Sequence, residues 1–121
     1  GPTESGGGVF SIQLAFGLYG EWHQFGFLHH DPDTGVAATR SFRAWLRERY
    51  GDDAGLARAW HRPGATIDAV VPPGTPERET VPAGVLRDPR TQQDVIDYFH
   101  WLHGTMADAL LAMAEKVKAT W

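Results

Sequence analysis

Apolar and polar positions alternate with three different rhythms along this chain, and each rhythm predicts a different element. The run Val9-Phe10-Ser11-Ile12-Gln13-Leu14-Ala15-Phe16 is short, almost continuously apolar and β-prone. It predicts a strand buried on both faces, of the kind found inside a parallel sheet, spanning 9–22 after a Gly-rich lead over 1–8. Gly17, Gly20 and Gly26 then fall among the aromatics Tyr19, Trp22, Phe25 and Phe27, so the strand opens into a loop at His29-His30-Asp31-Pro32-Asp33.

A helical rhythm follows over 35–60. Phe42, Trp45, Leu46 and Tyr50 fall on one helix face, with Asp33 or Thr34 as N-cap and Gly51 as terminator. Asp52 or Asp53 starts a second, shorter helix with Leu56 and Trp60 four apart, which Pro63-Gly64 ends. Residues 61–88 hold most of the prolines and little periodicity, predicting a long excursion with at most one short strand at Ile67 to Val71. The clearest helix spans 89–121. Asp88 is its N-cap and Pro89 its first residue, and Ile96, Phe99, His103, Met106, Leu110, Met113 and Val117 form one apolar stripe.

One doubly buried strand among helices has no sheet to join. It needs partners on both edges, which implies either an oligomer that completes the sheet or a segment of a larger fold. Composition narrows the rest. A chain of 121 residues with 42% hydrophobic residues suits a single globular unit. A net charge of −4, with arginines interleaved among acids, argues against a nucleic-acid surface. No cysteine and no asparagine occur, which removes disulfides, Cys-based zinc sites, thiol nucleophiles and N-glycosylation sequons, and leans the compartment to the cytosol. No apolar run reaches the length of a membrane span, and none of the features of a signal peptide stand at the start.

Three stretches together carry a resemblance: Ile12-Gln13-Leu14-Ala15-Phe16-Gly17-Leu18-Tyr19-Gly20-Glu21-Trp22, then Phe42-Arg43-Ala44-Trp45-Leu46-Arg47-Glu48-Arg49-Tyr50-Gly51, then Leu56-Ala57-Arg58-Ala59-Trp60. In sequence they resemble the middle of β-galactosidase-like glycoside hydrolases of the family 42 type. The resemblance implies a fragment of an α/β (β/α)8 barrel around its fourth strand, by itself mostly α-helical with one buried N-terminal strand and a long proline-rich excursion. It implies a carbohydrate substrate, a retaining β-glycosidase mechanism with Glu21 as acid/base, and a nucleophile beyond this chain. Gly20 stands where that clan has an Asn expected to bind the substrate's 2-hydroxyl. By the same resemblance, Trp22, His23, Tyr19 and His30 line the substrate cleft.

The residue types are compatible with that chemistry. Tyr19, Trp22 and Phe25 can desolvate Glu21, raising its affinity for a proton, and can stack on a sugar ring. The plain alternative is a Glu tied to an Arg for structure. A second chemistry is open to the histidines: Glu21, His23, His100 and His103 could hold zinc or another divalent ion in a self-assembling helical protein, with no cofactor needed on the first reading. The plain alternative there is a core His103 beside loop histidines. Serines lack an elbow motif, and the glycines fit no phosphate-binding loop.

Overall fold

The computed structural model describes residues 11–12, 34–82, 84 and 86–120. In chain order these form α1 (Val36–Tyr50), α2 (Asp53–Ala59), a short 3₁₀ turn (Ile67–Ala69), α3 (Thr75–Glu79) and α4 (Pro89–Thr120). The chain divides into two compact units, one of Gly26–Leu102 and one of Gly1–Phe25 with His103–Trp121.

The described residues correct the expected fold. They contain no strand and are 71% helical, so a barrel fragment built on a buried strand is not what they form. The expected strand at 9–22 lies outside the described residues except for Ser11 and Ile12, which are exposed and belong to no regular element. The possible strand at Ile67 to Val71 is a 3₁₀ turn instead. In a strand, Ile67, Ala69 and Val71 would share a face. Here the buried pair is Ile67 and Val70, three apart, while Ala69 and Val71 are exposed, and a period of three is the 3₁₀ repeat. The Asp53 carboxylate also accepts from the Ile67 backbone N–H at 2.8 Å, pinning the turn to the start of α2.

Within Gly26–Leu102 the core gathers Phe42 and Leu46 of α1, Leu56 of α2 with Trp60 at its C-terminal end, Ile67 and Val70 of the excursion, and Tyr98 and Trp101 of α4. Phe42 meets Tyr98 edge-on at 6.0 Å between ring centroids and Trp101 at 5.4 Å. These are the separations at which aromatic quadrupoles attract. The Trp101 indole also donates to the Ser41 hydroxyl at 3.1 Å.

Local chemistry sets each boundary. α1 starts after Gly35 without a side-chain cap, and neither Asp33 nor Thr34 holds that position. It ends at Gly51, whose positive φ of 81° turns its N–H back to the Arg47 carbonyl. Asp52 caps α2 by accepting the Gly55 N–H at 2.8 Å. Arg87 satisfies the carbonyls that α3 leaves open, donating to the Arg78 and Thr80 oxygens. At the start of α4, Asp88 receives the Arg90 guanidinium and its backbone N–H, which hold the Asp88 carboxyl below its usual range. Gln92 then departs from helical geometry (φ −129°, ψ 24°), and its side-chain amide donates to the Thr80 carbonyl at 2.7 Å.

The buried face of α4 also differs from the expected stripe. Gln92, Val95, Asp97, Tyr98 and Trp101 are buried, whereas Ile96 and Phe99 are half-buried and His103 is exposed. The buried face joins Val95 to the aromatic residues Tyr98 and Trp101 and to the polar Gln92 and Asp97, while Ile96 lies only half-buried. In the other unit, the described residues are Ser11, Ile12 and α4 from His103 onward, where Met106, Leu110, Met113 and Val117 are half-buried. No described helix is long and apolar enough to cross a membrane.

Candidate functional site

Two of the three stretches that carry the resemblance, 42–51 and 56–60, meet at one carboxylate. Asp97 of α4 is fully buried. Its Oδ2 accepts from the Trp60 indole Nε1 at 2.7 Å and from the Tyr50 hydroxyl at 2.7 Å. Its Oδ1 accepts from the Gln93 side-chain amide at 2.9 Å, and the Arg49 Nε lies 3.6 Å away. A buried carboxylate is tolerated only with donors and a counter-charge, and this one has both. Desolvation, then the bond to Asp97, raises the Tyr50 hydroxyl above its ordinary pKa, and the nearby Arg49 works against that rise. Arg49 also lies 5.1 Å above the Trp45 ring. Tyr50, Trp60 and Arg49 are therefore engaged in holding α1, the end of α2 and α4 together.

Beside this hub runs a groove. A cavity of about 340 Å³ has Phe42, Trp60, Val70, Pro72 and Pro73 in its wall, and a neighbouring one of about 310 Å³ has Thr80, Thr91, Gln92 and Val95. Arg62, Glu77 and Asp94 stand in the walls of both. Arg62 pairs with the Asp94 Oδ2 at 2.9 Å and lies 5.6 Å above the Trp60 ring. His61, with a positive φ of 52°, sets the turn that brings Arg62 there.

Two acceptors in this wall lack donors among the described residues. Asp94 Oδ1 and Gln92 Oε1 are buried without a hydrogen-bond partner. The bond from the Gln92 amide nitrogen to Thr80 fixes which end of that amide is left over. An apolar wall, two carboxylates and one guanidinium suit a small polyhydroxylated ring, whose C–H face packs on apolar groups while its hydroxyls donate to carboxylates. Reaching the buried oxygens requires rotation about the terminal torsions of Asp94 and Gln92, which exchanges the Arg62–Asp94 pair and the Gln92–Thr80 bond for bonds to the ligand.

The sequence-derived site residues fall differently. Glu21, Trp22, His23, Tyr19 and His30 lie outside the described residues. His100 and His103, the other half of the alternative metal set, are exposed on α4. Among the described residues, no group of three or more His, Asp or Glu side chains is placed to hold a metal ion. Asp97, Arg62 and Asp94 were missed by sequence reasoning. Asp97 carried a usable signal: it is four residues before Trp101 and next to Tyr98, so it shares their buried face and must find donors, which an indole and a phenol supply.

Comparison with protein-family models, curated proteins and solved structures returns no match to this chain.

Proposed function

We propose that this chain is a segment of a retaining β-glycosidase of the β-galactosidase-like kind, binding a carbohydrate and carrying its acid/base carboxylate at Glu21. The observation that supports it is the groove around Arg62, Glu77 and Asp94, with its apolar wall and its donor-poor acceptors. A hexose presents the matching chemistry: several hydroxyl donors and an apolar face. The motif residues Tyr50 and Trp60 support the reading indirectly, because they fix the elements that line the groove.

On this reading the chain binds sugar but does not turn it over. Retaining hydrolysis needs an acid/base and a nucleophile, and the resemblance places the nucleophile outside this chain. A cytosolic location belongs to the same proposal, resting on the cysteine-free sequence.

Calorimetric titration of the chain with methyl β-galactoside tests the groove. Binding is expected, weakened by Asp94→Asn and by Glu77→Gln, with circular dichroism confirming folded variants. Wild-type binding that neither substitution affects would remove the groove from the proposal.

A further inference from the structure

A second concavity, with a wall of different residues, has the opposite charge. Arg40, Arg43 and Arg47 of α1 line a cavity of about 470 Å³ together with Thr34, Thr39 and Asp68. Spacings of three and four place the three arginines on one helix face. With one acid among them, the local charge is strongly positive in a chain whose net charge is −4.

The arginines are not used up by the fold. Arg40 is exposed and makes no hydrogen bond or ion pair among the described residues. Arg43 commits its Nε to the Val70 carbonyl at 2.7 Å, which fixes its guanidinium while its terminal nitrogens have no partner among the described residues. Arg47 pairs with Asp68, but that carboxylate is 83% exposed, so the pair exchanges readily for a stronger anion. Asp68 occupies one of the positions an incoming oxyanion would take.

We propose that this cavity binds a small diphosphate-class anion. Guanidinium groups bind phosphoryl oxygens through paired N–H donors. The arginines start seven residues apart, about 10 Å of helix rise, too far for one phosphoryl group and suited to two with the side chains converging. Thr34 and Thr39 in the same wall offer hydroxyl donors. The site shares no wall residue with the sugar groove, and the Arg43 anchor on the Val70 carbonyl joins their walls.

Inorganic pyrophosphate, titrated calorimetrically into the purified chain at low salt, is the probe. Binding is expected, and Arg40→Gln and Arg47→Gln should each weaken it about tenfold, the scale of one lost charge-assisted contact. Asp68→Asn should tighten it, since a competing carboxylate is removed, and Arg58→Gln on α2 should leave it unchanged. Orthophosphate should bind more weakly than pyrophosphate. Absence of pyrophosphate binding, an unaffected Arg40→Gln variant or weaker binding by Asp68→Asn would overturn the proposal. So would binding only to phosphatidic acid vesicles, which would point to a lipid headgroup.

Discussion

The indole nitrogen of Trp60 donates to the buried carboxylate of Asp97 at 2.7 Å, across 37 residues of sequence. The Tyr50 hydroxyl meets the same oxygen from α1, so one atom joins α4, the end of α2 and the end of α1. Removing that atom leaves two buried or part-buried donors without an acceptor. Asp97→Ala should therefore cost about 3–5 kcal/mol, the loss typical of breaking a buried charged network from one side. Asp97→Asn should cost less, because it keeps an acceptor for Trp60. Urea unfolding followed by circular dichroism checks both.

The donors should be coupled. Trp60→Phe keeps most of the ring but loses the N–H, and should cost about 2 kcal/mol, the scale of a hydrogen bond to a charged group. Because Tyr50→Phe removes the other donor to the same oxygen, the double variant should depart from additivity by about 0.5 kcal/mol or more. Strict additivity in a double-mutant cycle would mean that the two bonds act independently.

The hydroxyl of Tyr50 should titrate late. Its pKa is raised above the ordinary tyrosine value by desolvation and by Asp97, so the neutral form is favoured in the folded chain. That contribution to stability is complete below the unfolded pKa and is lost as pH rises through the folded one. An ultraviolet titration should show a delayed tyrosinate step that Tyr50→Phe removes. For Asp88 the sign is opposite: its depressed pKa supports the fold above the unfolded value and the support fades as pH falls through the folded one.

Glycine positions should separate sharply. A Cβ at Gly55 would stand 2.2 Å from the Tyr50 carbonyl oxygen, a backbone atom that cannot swing aside. A Cβ at Gly64 meets nothing within 4 Å, leaving only the strain of its positive φ of 81°. Gly55→Ala should cost about 1–3 kcal/mol and distort the α1–α2 junction, and Gly64→Ala about 1 kcal/mol. Thermal melts of the two variants compare them directly.

Much of the helical framework was legible in the sequence. Phe42 and Leu46 recur at helical spacing, Gly51 can take the positive φ that ends α1, and Asp52 sits where it can cap α2. The face of α4 was harder to read. Ile96 and Phe99 look like core by hydropathy, yet the core takes Asp97, because Tyr50 and Trp60 arrive from distant positions with donors for it. Hydropathy scores a residue alone, whereas this burial is decided by partners 37 and 47 residues away. The 3₁₀ turn was hidden for a similar reason: Ile67 and Val70 fit either a short strand or a turn until Asp53 fixes the Ile67 backbone. The groove was not legible at all, since Arg62, Glu77 and Asp94 come from three separate segments and share no motif.

Hydrolysis of an aryl β-galactoside by the purified chain tests the functional reading most directly, run beside Glu21→Gln. The expected result is binding of the galactoside with no release of the aryl group from either protein. Turnover by the wild-type chain that Glu21→Gln abolishes would contradict it, because the nucleophile would then have to lie within these 121 residues.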